Sequence, residues 1–356
     1  MTSTTTTTTT TTTTCVPKAI ANLGNTCFLN TILQIIAQCK ELNSVLDSSQ
    51  NPVLHTDITE YHVYQNWVDM RNIMFNAETK GHIVPRGFVN WFMKVAKDRK
   101  LDIFSAHVQC DTAEFLHFFM DCLHECRKKT MNITIHGNPE NGKDGLAIKC
   151  YTCWKQMFEK DYSELKDMFY GITVSNIQSM TTNEIHSSTC EIYFTLDLPV
   201  VSPTKKLESI YECLDVFTEI EYMKEDNAWY NDKTKAYEDV KKQILFWNFP
   251  QILVICLKRF SMDGKSKETH NIAYPTDLDV SKYSCGYNPH HYVYELFGIC
   301  NHFGNLHNGH YTNFVKTMDN VWYHCNDQII QKVENESHIH TQYAYCLFYR
   351  KKNNQV

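Results

Sequence analysis

Cys27 is the residue best placed to do chemistry. It follows Asn22-Leu23-Gly24-Asn25-Thr26 and opens the run Phe28-Leu29-Asn30. A free thiol, with a pKa near ~8.5, is mostly protonated at neutral pH and attacks weakly. In the first turn of a helix its sulfur would meet the positive end of the helix dipole, which favours the thiolate. Gly24 permits a tight turn into that helix, and Asn22 and Asn25 bring amide donors close. One such amide, beside the backbone N–H of Cys27, suits the oxyanion of a tetrahedral intermediate, where a donor is typically worth about 3 kcal/mol. A thiol nucleophile also needs a base. Among 17 histidines, His310 stands apart because Gly309 precedes it and Tyr311 to Val315 reads as a strand. The glycine would let a substrate backbone pass close to the imidazole. The next strand carries Trp322-Tyr323-His324-Cys325-Asn326-Asp327. Strand alternation puts Asn326 and Asp327 on opposite faces, so only one of the two is expected to orient the His310 ring. The implied class is a cysteine hydrolase.

Positioning these groups requires helices first and strands later. Residues 28–39 carry a wide apolar face, and 57–76, 86–97 and 111–127 also show helical periodicity. From about 145 the pattern changes. Segments 192–198, 252–257, 292–299, 311–316, 321–325 and 343–349 read as strands, separated by charged, turn-rich stretches. Helices followed by strands predict an α+β fold. Thr4 to Thr14 is a single-residue run with nothing to bury, and residues 1–14 are expected to be a disordered tail. Residues 351–356 form a polar C-terminal tail.

Composition excludes several classes. The 356-residue chain is 43% hydrophobic and carries a formal charge of -6, which argues against nucleic acid as the main partner. Arg127-Lys128-Lys129 and Lys241-Lys242 are short and read as solvated faces. No run reaches the roughly 18–20 apolar residues of a membrane span. Fifteen cysteines without a secretory signal point to a reducing compartment, cytoplasmic or nuclear, with most thiols serving as small buried hydrophobes.

Longer stretches carry a family resemblance. Asn22 to Gln34 resembles, almost residue for residue, the cysteine box of the ubiquitin-specific proteases. Gln109-Cys110-Asp111-Thr112-Ala113-Glu114-Phe115-Leu116 is similar to their glutamine–aspartate–glutamate–phenylalanine box. Phe249 to Leu253, running on to Leu257-Lys258-Arg259-Phe260, resembles a strand of that family. Tyr294 to Ile299, His302 with Gly304, and Gly309-His310-Tyr311 resemble its histidine box; Trp322 to Asp327 and Tyr343 to Tyr349 complete the order.

The resemblance implies a papain-like catalytic domain over 15–350. Within it lie a helical thumb at about 20–140, a β fingers extension at about 145–250 and a strand-rich palm at about 250–350. It implies Cys27 as nucleophile, His310 as base, Asn326 as orienter and Asn22 as oxyanion donor. It also implies binding of ubiquitin's C-terminal tail around Asp111, Glu114, His302, Gly309 and Tyr311. Loops 261–271 and 302–309 fall where the family gates the tail channel. The implied reaction is cleavage after the C-terminal glycine of ubiquitin by a monomer without a cofactor. The alternatives are a protease for a ubiquitin-like modifier, or a silent ubiquitin-binding scaffold. Cys110 and Ala113 depart from the family box.

One motif is incomplete. Cys150-Tyr151-Thr152-Cys153 has zinc-knuckle spacing, but structural zinc wants four ligands. The positions matching the family's second pair are Asn231 and Thr234. No metal is expected unless Cys190, Cys213 or a nearby His completes the set.

Overall fold

The structure, a computed structural model, describes residues 16–50, 52–104, 109–261, 263–305 and 308–352. The threonine tract and most of the polar C-terminal tail lie outside these residues. So do 262, 306 and 307 of the two expected gating loops.

The first half is helical. α1 (Cys27–Ala37), α2 (Lys40–Asp47), α3 (Glu60–Phe75), α4 (Arg86–Asp98) and α5 (Thr112–Arg127) are followed by α6 (Gly142–Phe158) and α7 (Glu164–Phe169). All of α1 is buried, the polar Asn30, Thr31 and Gln34 included. Phenylalanines join it to its neighbours. Phe28 meets Phe115 edge-on at 5.4 Å, and Phe92 meets Phe115 at 5.3 Å. Aromatic edge-to-face pairs of this kind fix relative orientation as well as burying area. At the start of α5, Asp111 caps the helix by accepting from the N–H groups of Ala113 (2.7 Å) and Glu114 (3.2 Å).

Two sheets follow. β1 (Gly171–Ser179), β2 (Ile185–Tyr193), β4 (Glu221–Met223) and β7 (Val240–Asn248) form an antiparallel sheet in the order β2-β1-β7-β4. A separate hairpin, β5 (Trp229–Asn231) and β6 (Ala236–Glu238), precedes β7. The larger sheet contains β3 (Thr195–Pro199), β8 (Ile252–Lys258), β10 (Val293–Gly304), β11 (Gly309–Lys316), β12 (Trp322–Asn326), β13 (Ile329–Lys332) and β14 (Ala344–Lys351). Its order is β13-β12-β11-β10-β14-β8-β3, with β9 (Asp277–Asp279) added to β10. Only the β3–β8 pairing in it is parallel.

Three cysteines stand abreast in this sheet. Cys346 on β14 pairs with Cys256 on β8 and with Cys300 on β10. The sulfurs of Cys256 and Cys346 are 3.3 Å apart. All fourteen described cysteines are free thiols.

The α+β expectation holds, with two differences. The helical part runs past 145, because α6 occupies Gly142–Phe158. Asn141 caps it, its Oδ1 accepting from the Asp144 N–H at 3.0 Å. Ala147, Cys150, Trp154 and Phe158 repeat at helical spacing, a signal that reading Cys150 and Cys153 as a knuckle overlooks. Second, the span 145–250 is not a single extension. β3 and α8 (Ile210–Phe217) leave the smaller sheet and join the core of the larger one. Among the described residues no helix is long and apolar enough to cross a membrane.

Candidate active site

The turn before α1 is built on one side chain. Asn22 Oδ1 accepts from the N–H groups of Gly24 (3.0 Å) and Thr26 (3.1 Å). This folds the backbone back on itself, with Gly24 at φ 98° and Asn25 at φ 55°. Cys27 then becomes the first residue of α1, with its side chain buried. The first N–H groups of a helix have no intrahelical acceptor. Cys27 stands at that end of α1.

His310, the second residue of β11, hydrogen-bonds the Cys27 thiol, and its Nε2 lies 2.7 Å from Asn326 Oδ1. A carboxamide oxygen only accepts, so Nε2 carries the hydrogen and Nδ1 is left for the thiol. The hydrogen bond with Cys27 is the main influence raising the imidazole pKa, to about 9. The bond to Asn326 and the charges of Cys27 and Asp327 add to it, against burial.

Asp327 corrects the alternation argument. β12 ends at Asn326, and Asp327 turns into a left-handed conformation at φ 48°. Alternation therefore stops one residue early, and both side chains reach the site. Asn326 takes His310. Asp327 stays 4.0 Å from Nε2 and accepts instead from Asn22 Nδ2 (2.9 Å) and Asn30 Nδ2 (2.7 Å). Its carbonyl oxygen takes the Ile20 N–H at 3.0 Å. Asn22, expected as an oxyanion donor, thus has its amide anchored by a carboxylate some three hundred positions away. Asn30 was not singled out by sequence reasoning, although it lies in the cysteine box.

A cleft of about 630 Å³ includes Asp111, Glu114, His302 and Tyr311 in its lining, together with His117, Asp197 and Lys258. Neither Cys27 nor His310 lines it. Gly309 adjoins His310, and Cys110 stands in the cleft wall. Asp111 offers the cleft its charge more than a free oxygen, since one oxygen caps α5 and the other accepts from Tyr345. Gly309 has an internal reason to be glycine. A Cβ there would lie 2.1 Å from His302 Nε2 and 2.8 Å from the Phe303 oxygen, so only glycine fits against the His302 ring. Gln109, another residue missed, grips Gly309 from both sides. Its Nε2 donates to the Gly309 oxygen at 2.6 Å, and its Oε1 accepts the Gly309 N–H.

The incomplete cysteine pair is not a knuckle. Cys150 and Cys153 sit on α6, where Cys150 is buried against Cys190 of β2 with sulfurs 3.4 Å apart. Cys153 leans on the Cys190 carbonyl at 3.4 Å. Cys213 belongs to the core of the larger sheet. Asn231 and Thr234 belong elsewhere too, because both bond Glu238 Oε1, at 2.9 and 2.6 Å, while His186 of β2 lies 3.0 Å from Glu238 Oε2. His186 is at the outer end of β2, whereas Cys190 pairs with Val174 well down the ladder. The two halves of the expected set are therefore apart.

A buried thiol at a helix start, an imidazole from a facing sheet and an amide behind it define a papain-like thiol hydrolase fold. Residues 19–349 match the family model described as ubiquitin carboxyl-terminal hydrolase, and the chain belongs to that family. Ubiquitin carboxyl-terminal hydrolase Usp2 of Drosophila melanogaster is 30% identical, covering 93% of this chain and 34% of its own length. Ubiquitin carboxyl-terminal hydrolase 2 of Homo sapiens is 27% identical, covering 93% and 54%. The chain thus spans about half or less of these relatives. Among solved structures, the SAGA Ubp8/Sgf11/Sus1/Sgf73 DUB module bound to ubiquitin aldehyde superposes with a TM-score of 0.69 at 22% identity. That match covers 94% of this chain and 70% of the other. At this identity the likeness establishes the fold.

Proposed function

We propose that this chain is a deubiquitinating thiol hydrolase that cleaves the peptide or isopeptide bond after the C-terminal glycine of ubiquitin. The observation that carries the reading is the Cys27–His310–Asn326 chain of hydrogen bonds beside an acid-lined cleft. His310 Nδ1 takes the thiol proton, and Cys27 Sγ attacks the carbonyl carbon. The resulting oxyanion is met by the Cys27 N–H and the Asn22 amide, which Asp327 keeps in place. When the intermediate collapses, the C–N bond breaks and His310 returns the proton to the leaving amine. Water, deprotonated by His310, then attacks the thioester, releasing the carboxylate and restoring the thiol. Asn326 holds the ring so that one nitrogen faces the sulfur throughout. Asp111, Glu114 and Asp197 suit an arginine-bearing tail, with His302 and Tyr311 in the same lining and Gly309 against the His302 ring.

Residues from about 15 to 350 form the catalytic unit, acting as a monomer on ubiquitin and ubiquitinated proteins. The free thiols support residence in a reducing compartment, cytoplasm or nucleus. The test is capture by a ubiquitin probe bearing a C-terminal electrophile, with hydrolysis of a ubiquitin–fluorophore amide. Wild-type protein is labelled and turns over, whereas Cys27→Ala does neither. Labelling that survives Cys27→Ala defeats the assignment, and preferential capture by a ubiquitin-like modifier redirects the substrate.

A further inference from the structure

Lys267 lies between β8 and β9, bridged across its turn to Phe260. Its half-buried ammonium donates to His302 Nδ1 (2.8 Å), to the His302 carbonyl oxygen (2.7 Å) and to the Gly304 carbonyl oxygen (3.2 Å). These three acceptors use every hydrogen an ammonium has. All three are uncharged, so the ion loses water without gaining a counter-charge. Burial, with Arg259 nearby, draws its pKa down to about 8, leaving it mostly protonated near neutrality.

The bond to Nδ1 decides the state of the ring. An ammonium cannot accept, so Nδ1 must offer its lone pair, and the hydrogen of neutral imidazole sits on Nε2. His302 is only 3% exposed. Phe260, Tyr311 and Tyr345 pack around it, with ring centroids at 5.5, 4.6 and 5.9 Å. The charged groups acting on it are Lys267 and His310. Burial first, then those two cations, lowers its pKa to about 4. The ring lines the cleft, and its Nε2 points where the missing Gly309 side chain would be.

We propose that Lys267 is a positioning residue that holds His302 as the Nε2–H tautomer, so that the cleft floor beside Gly309 presents a neutral N–H donor to a backbone carbonyl of the extended tail. This rests on the cleft being the tail-binding site. A side-chain-free tail suits such a donor, because its recognisable features are peptide carbonyls. The ammonium also ties the turn after β8 to the end of β10, so the donor and the cleft wall are set by one residue.

The first test reads the ring directly. In ¹⁵N-histidine-labelled protein the His302 nitrogens report the Nε2–H tautomer, and Lys267→Met shifts the population toward Nδ1–H or imidazolium. An Nδ1–H ring in the wild type, or no change in the variant, overturns the proposal whatever the enzyme's substrate. The second test is kinetic, on the ubiquitin–fluorophore amide. His302→Phe, which lacks a donor, raises KM about tenfold with kcat within about threefold, as loss of a uniform binding contact should. His302→Gln, which keeps an N–H donor, stays within about threefold of wild-type KM. Lys267→Met raises KM, because the ring is no longer held with its single hydrogen on Nε2. Equal KM values for His302→Phe and wild type, or a KM unmoved by Lys267→Met, count against it. Failure of the wild type to react with the ubiquitin probe would instead remove the substrate reading and leave the tautomer result standing.

Discussion

The candidate active site and the β5–β6 hairpin are both held by a carboxylate accepting from polar side chains, yet they are assembled in opposite ways. At the site, Asp327 gathers Asn22 and Asn30 from about three hundred residues away. At the hairpin, Glu238 gathers Asn231 and Thr234 from within its own turn, adding His186 from a neighbouring strand. A local carboxylate hub can pin a turn where the family resemblance leads one to look for metal ligands. It cannot bring a thiol to an imidazole, which requires two halves of the fold to meet. Damage at the site should therefore appear as lost rate, and damage at the β5–β6 hairpin as lost local order.

The largest expected effect is at the nucleophile. Cys27→Ala lowers turnover of the ubiquitin–fluorophore amide by roughly 10⁴ or more, since a thiol nucleophile has no substitute nearby. Its melting temperature should stay close to wild type; a collapse of the fold would blur the contrast between regions.

Next come the anchors. Asn22→Ala costs about 10²–10³ in kcat, the usual range for an oxyanion donor. Asp327→Ala follows it, because an unanchored amide is poorly aimed. Combining the two changes should add little, since residues acting as one unit are non-additive. Full additivity in a double-mutant cycle would separate Asp327 from Asn22.

A smaller effect concerns pH. The His310 proton is held to about 9 in the folded protein, against an ordinary value near ~6.5. The stability this confers is complete below about pH 6.5 and is lost as pH rises through about 9. Cys27→Ala should bring the His310 titration, followed by NMR, down furthest, with Asn326→Ala moving it less. The reverse order would mean that the amide, not the thiol, holds the proton.

The smallest effect is at the hairpin. Glu238→Ala leaves Asn231, Thr234 and His186 without their shared partner and lowers stability only slightly, read by urea denaturation. Turnover of the small fluorophore substrate should barely change, and a chelator should leave the melting temperature within about 1 °C. A large chelator effect would place a metal in the protein and break the comparison.

What could be read from sequence follows the same division. α1, α4 and α5 were legible because buried aromatic and aliphatic side chains repeat at helical spacing, and β8 because it is almost wholly apolar. The strands β1, β2 and β7 were not. Much of their length is half-exposed on both faces, as in the stretch Ser187-Ser188-Thr189-Cys190, so no alternation marks them. The proposed nucleophile, base and orienter, Cys27, His310 and Asn326, carry their own signatures. The role of Asp327 was hidden because it depends on a left-handed backbone at the end of β12, which no strand rule anticipates. Lys267 was hidden among the charged residues of a turn. Its significance comes only from the three acceptors that the fold brings around it.

The row formed by Cys256, Cys346 and Cys300 makes the larger sheet its own stopwatch. Cys300 and Cys346 are fully buried, whereas Cys256 borders the cleft, so an alkylating reagent reaches the first two only when the sheet comes away from its core. Cys153, half-exposed on α6, is open to the same reagent without that separation. The ratio of the two labelling rates therefore measures how often the molecule opens its centre, with no probe added beyond the thiols it already carries.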